Sequence, residues 1–214
     1  MSRNILFGGT GTGIREDRGA PWVRPWVGAC AAMVGGSVMV LHELWDAREP
    51  GIQMDVVSST LHTIWIASLF VAYAGLGVMQ GSSFGRLGRV GTVLALVGTG
   101  GIAVLSVFET IDRAVSTQGS GDDPHVVYLV LIFASLGCYI VGGLLFALAT
   151  MRARVLPWSA GAALIVAMLL KMFASGLVPA TLALAGAAFI WMGICALTVL
   201  RSQRSGLSNG LAAE

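Results

Sequence analysis

Three histidines, two glutamates and a lysine stand near the ends of otherwise apolar runs, all toward one side, and these side chains could do chemistry. The first run closes on Leu41-His42-Glu43-Leu44-Trp45-Asp46. Residues four apart share a helix face, so His42 and Asp46 are neighbours, while Glu43 points about 100° away. His62 stands one turn into the second run. The third run leaves through Glu109-Thr110-Ile111-Asp112-Arg113, where Glu109 and Arg113 can pair, and the fourth begins after Asp122-Asp123-Pro124-His125. Lys171 lies about seven residues inside the far end of the fifth run, roughly 10 Å deep at 1.5 Å per residue. It is the deepest charge in the chain.

A lysine at the centre of a membrane span costs about 2.5 to 3.5 kcal/mol on insertion scales. Lys171 is therefore expected to point inward and meet an acid, Glu109 or Glu43 first, with Asp112 and Asp46 also available. The alternative is an outward reach along its own stem. Three chemistries suit the cluster. His42, Glu43, His62 and His125 are the residue types that bind a divalent metal. Their spacing is His-Glu-x-x-Asp rather than the zinc signature His-Glu-x-x-His, so no metal site is expected, and three histidines near one surface frame a haem poorly. A ligand- or proton-binding cavity is the second, with His42, His62, Asp112, His125 and Lys171 as binding residues, because histidine titrates near neutral pH. The third is an intramembrane enzyme with Glu43 or Glu109 as a general acid acting on a lipid or isoprenoid. Asp46, Glu49, Asp55, Asp122 and Asp123 read as solvated loop charges.

The elements that would position these groups follow from composition. Of 214 residues, 56% are hydrophobic and only 11% charged. Soluble domains carry about 25% charged residues. A transmembrane helix needs about 20 mostly apolar residues, and such runs fall at Trp26–Trp45, Val57–Met79, Val90–Phe108, Val126–Ala149, Leu156–Val178 and Ala180–Leu200. The reading is an all-α, polytopic helical bundle over residues 26–200, with tails at 1–25 and 201–214. Arg3, Arg15, Arg18 and Arg24 precede the first run; Arg86, Arg89, Arg152, Arg154, Arg201 and Arg204 share its side of the membrane. The opposite side holds Arg48 and Arg113. The positive-inside rule then puts both termini in the cytoplasm and the titratable cluster outside. That sidedness accounts for the net charge of +2 better than nucleic-acid binding does.

Several features are read as structural. Cys30, Cys138 and Cys195 lie inside runs, which argues against a disulfide framework. Residues 4–13 imitate the glycine turn of a dinucleotide-binding unit, but no βαβ context follows. The tail is expected to be flexible, with no secretory signal. Trp22, Trp26, Trp45, Tyr128 and Trp158 suit the membrane interface, and Trp65 is read chiefly as packing. The 29 glycines suggest close helix contacts along Gly77-xxx-Gly81-xxx-Gly85, Ala31-xxx-Gly35 and Ala134-xxx-Cys138-xxx-Gly142. Gly98, Gly100 and Gly101 could instead bend the third helix. Runs two–three and four–five share a weak common layout.

The segment from His62-Thr63-Ile64-Trp65 through Gly85-Arg86-Leu87-Gly88-Arg89 to Phe108-Glu109 resembles a group of six-span integral membrane proteins of bacteria. In those a histidine opens one span, a Gly-Arg-Leu-Gly turn follows and a glutamate closes the next. The resemblance covers about 50 residues, implies a six-helix bundle, and implies no activity. His42-Glu43 and Lys171 are outside it. The expectation is thus a multi-pass inner-membrane protein whose outward polar cavity binds or moves a small ligand or proton. The alternatives are the enzyme above and a structural subunit of a membrane complex. Expected partners are the bilayer, a small-molecule or lipid ligand, and a second copy or another membrane subunit; the cofactor is left unknown.

Overall fold

Proline and glycine set where the helices start and turn. The computed structural model describes residues 24–48, 56–115, 126–174 and 181–211, and of residues 56, 109–115, 174, 204 and 206–211 the backbone alone. Arg24 is extended and Pro25 follows as the first helical residue, a position where its missing N–H costs nothing. Helix α1 (Pro25–Asp46) is followed by α2 (Val56–Gln80), a single 3-10 turn (Gly81–Phe84), and α3 (Gly85–Val115). Then come α4 (Val126–Ala153), α5 (Trp158–Ala174) and α6 (Thr181–Leu211). There is no strand among the described residues.

Four helical stretches are long and apolar enough to cross a membrane: Pro25–Asp46, Val57–Phe108, Val126–Ala153 and Thr181–Gln203. The second, of 52 residues, takes in nearly all of α2 and α3 as far as Phe108. Gly81 and Gly85 carry φ of +52° and +64°, a conformation open to glycine because it has no Cβ. The chain turns back there, and α3 packs on α2. The stripe Gly77-xxx-Gly81-xxx-Gly85 is therefore no helix face; its last two members shape a turn, with nothing within 4 Å of a Cβ added at either. The fifth apolar helix starts at Trp158 rather than at the expected Leu156. Arg154 leaves α4 at φ +53° and Pro157 precedes α5, so the helix begins two residues later. Residues 175–180, its expected outer end, lie outside the described residues. Helix α6 runs on to Leu211, through most of the expected C-terminal tail.

Each helix packs on its chain neighbours, and α1 closes the circuit against α6. The most extensive seams are α3–α4, α1–α2 and α1–α6. Lipid tails are as apolar as leucine, so burial of apolar surface does not drive these contacts; close backbone approach does. A Cβ on Gly98 would overlap the backbone nitrogen of Tyr139, and one on Gly142 that of Ala95. Gly98 is thus a contact rather than a bend. Gly36 and Gly186 face each other in the α1–α6 seam, each against the other's carbonyl oxygen.

Large apolar side chains face outward, Phe133 and Phe173 at 70% and 71% exposure, as expected of a lipid-facing surface. Inside, the Tyr73 ring of α2 meets Tyr139 and Phe146 of α4 and Phe189 of α6 edge-on, with centroids 5.1 to 6.5 Å apart. Such edge-to-face pairs are the favoured aromatic geometry. Hydroxyls inside the helices return their protons to their own backbone: Thr99 to Ala95 O at 2.7 Å and Thr150 to Phe146 O at 2.9 Å. Gln80 Nε2 donates to Thr150 Oγ1 at 3.0 Å, tying α2 to α4.

Candidate functional site

The last turn of α1 and the first turns of α2 bring titratable groups together. His42 is buried, 4% exposed, and its Nδ1 lies 3.3 Å from Asp46 Oδ2, out of line for a hydrogen bond. Ser58 of α2 donates to Asp46 Oδ1 at 3.0 Å and stands 3.3 Å from His42 Nε2. A hydroxyl has one proton to give, so with that proton on Asp46 its oxygen accepts from the imidazole. Serine, histidine and aspartate meet here without the connectivity of a hydrolytic triad, since the serine hydroxyl contacts the carboxylate directly and the imidazole Nδ1 makes no hydrogen bond. The chemistry does not follow, because the serine proton goes to the carboxylate and Ser58 is itself buried at 2% exposure. The three residues fix the His42 ring and lock α1 to α2.

From His42 a line of rings leads inward. The His62 ring lies 5.6 Å from His42, and the Trp65 ring meets His62 edge-on at 5.0 Å. Lys171 Nζ, arriving from α5, sits 5.6 Å from the Trp65 ring centroid, within the range in which a cation is held by an indole face. Lys171 thus lies against the protein's interior, with Glu43 an acid in electrostatic reach.

His62, Trp65 and Lys171 form one wall of a partly open cavity of about 210 Å³. Ile102, Leu105 and Ser106 of α3 line another side, and Tyr128, Ile132, Leu136 and Tyr139 of α4 the third. The α4 residues recur at i, i+4, i+8 and i+11, one face of a helix over roughly 16 Å at 1.5 Å per residue. The wall is mostly apolar, and two of the residues that line it, Trp65 and Tyr139, hold a buried polar atom (Nε1 and Oη) with no hydrogen-bond partner among the described residues. Buried polar groups are normally paired, so each such atom asks for a partner.

Of the residues expected to form a site, His42, Glu43, His62 and Lys171 converge. Glu43 is not on the cavity wall. The side chains of Glu109 and Asp112, in the last turns of α3, and the whole of His125 lie outside the described residues, as do the tail at 1–23, Trp22, Glu49, Asp55, Asp122 and Asp123. Among the described residues, no group of three or more His, Cys, Asp or Glu is gathered to hold a metal ion. All three cysteines are free. Sequence reasoning missed Ser58, Ser106 and Tyr139, and took Tyr128 for an interface anchor and Trp65 for packing. The i, i+4, i+8, i+11 placement of Tyr128 and Tyr139 within one apolar run was the available signal. Comparisons of the chain with protein-family models, curated protein sequences and solved structures return no match.

Proposed function

We propose that the chain is a six-span inner-membrane protein, with both termini in the cytoplasm, whose cavity opens outward and binds a small ligand. The arginine distribution supports the orientation. The observation that carries the ligand is the cavity itself. Its volume of about 210 Å³ exceeds the roughly 150 Å³ of an apolar cavity that takes up benzene. It joins apolar walls to a few polar groups, the common make-up of a small-molecule site. A bound proton fits less well, since Asp46, His42, His62 and Lys171 run along one end of the molecule and not across its thickness. Nor does any observation favour acid–base catalysis: the one described glutamate of the cluster stands off the wall.

Thiol accessibility tests the reading. In a background of Cys30→Ala, Cys138→Ala and Cys195→Ala, Leu105→Cys on the wall should react with a membrane-impermeant thiol reagent added from outside. Val97→Cys, on the lipid-facing side of α3 at 57% exposure, should not. Ile132→Trp, which fills the space, should slow the Leu105→Cys reaction at least tenfold. Reaction from the cytoplasmic side only, or equal reaction at both positions, overturns the outward cavity.

A further inference from the structure

Arginines gather where α3 begins and α4 ends. The seam between those helices is antiparallel, and its close contacts fix the register: Gly91 meets the backbone of Phe146, Gly142 that of Ala95, and Gly98 that of Tyr139. Carried on toward the start of α3, that register sets Arg89 level with Leu148, and Arg86 level with Met151, beside Arg152. The turn before α3 is fastened to the same end of α4 by the Phe84 and Phe146 rings, 5.1 Å apart, and by the hydrogen bond from Gln80 to Thr150. Arg154 follows at once, in the left-handed position that ends α4. Arg86, Arg89, Arg152 and Arg154 are all exposed, and none forms an ion pair among the described residues. The sequence holds no Asp or Glu over residues 56–108 or 126–213, and the tail before Arg24 sets Arg3, Arg15 and Arg18 against Glu16 and Asp17. This end of the seam is therefore net positive however the tail lies.

What lies beside the charges selects the partner. Val90, Val93 and Val97 follow Arg86 at i+4, i+7 and i+11, on the helix face that also carries Arg89. Arg152 stands on the face of α4 that holds Leu148 and Val141, at i−4 and i−11. These valines and Leu148 are exposed, so on each helix an apolar, lipid-facing strip runs into arginine where the span ends. A soluble acidic partner would meet the charges alone. A phospholipid matches both parts, and guanidinium groups suit phosphate oxygens in particular. Basic clusters between membrane helices on the cytoplasmic side hold anionic headgroups in this way. We propose that this end of the α3–α4 seam holds an anionic phospholipid, its phosphate among Arg86, Arg89, Arg152 and Arg154 and its acyl chains on the apolar strips that lead up to them. The proposal rests on the membrane spans and not on the cavity.

Native mass spectrometry of the full chain tests this by counting the lipids it retains. The protein is released from neutral detergent micelles that hold equal amounts of phosphatidylglycerol and phosphatidylcholine with the same acyl chains. Phosphatidylglycerol should be retained in about fivefold excess or more, the attraction expected of one basic side chain at an anionic surface. Arg86→Gln with Arg89→Gln, and Arg152→Gln with Arg154→Gln, should each lower that preference at least threefold, and all four changes together should abolish it. Arg86→Lys with Arg89→Lys, which keeps the charge, should retain at least half of it and guards against a loss caused by misfolding. Arg24→Gln with Arg201→Gln, exposed on α1 and α6 toward the same side, should leave it unchanged. Equal retention of the two lipids, or retention of neither, overturns the proposal. So does an equal loss from the Arg24 and Arg201 changes, which would make the attraction a property of the whole basic end. Displacement of the lipid by millimolar inorganic phosphate overturns the phospholipid as occupant and leaves a site for free phosphate.

Discussion

Gly142→Leu should lower the stability of the folded protein by about 1 to 3 kcal/mol, the usual cost of forced overpacking, and should change the rate at which the thiol introduced by Leu105→Cys reacts from outside. A Cβ at this position would fall on the backbone nitrogen of Ala95. Backbone cannot swing aside as a flexible side chain can, so α3 and α4 must separate. These two helices supply seven of the ten residues on the cavity wall, and the damage therefore reaches the site. Gly137→Leu, five residues earlier on α4, has nothing within 4 Å of an added Cβ and should leave both properties intact. Thermal unfolding in detergent, followed by helical circular dichroism, reads the first effect. Equal behaviour of the two variants would show that the α3–α4 seam is not set by close approach.

Tyr139→Phe should raise the stability of the protein. The hydroxyl is buried and unpartnered among the described residues, and an unsatisfied buried polar group costs about 1 to 3 kcal/mol. Its removal should raise stability by an amount in that range, read by thermal unfolding in detergent. Tyr73→Phe, whose hydroxyl is likewise buried and unpartnered among the described residues, should give a similar gain. Should Tyr139→Phe destabilise the protein, the hydroxyl has a structural partner.

Much of the architecture is legible in the chain because bilayer thickness fixes helix length. The runs beginning at Trp26, Val57 and Val126 appear as helices close to their expected bounds. Departures occur where hydrophobicity stops being the signal. Residues 201–211 are polar yet helical, since helix formation there needs no lipid. Gly81 and Gly85 read as a packing stripe because small residues spaced by four look alike in a helix and in a turn. Within the site, His42, Glu43, His62 and Lys171 were legible, since ionisable groups near apolar runs need partners. Trp65 and Tyr139 were not. An aromatic residue inside an apolar run is ordinarily packing, and only the coordinates show its polar atom without a partner.

The closure of α1 on α6 bears on how such a chain is made. Helix α1 carries Gly36, whose backbone meets Gly186, which is synthesised 150 residues later. Until then one of the three largest seams of the molecule has no mate. At roughly 5 to 20 residues per second, the gap lasts on the order of ten seconds, long enough for membrane quality-control factors to sample it. Chains that stop short of α6 leave that surface of α1 without its mate.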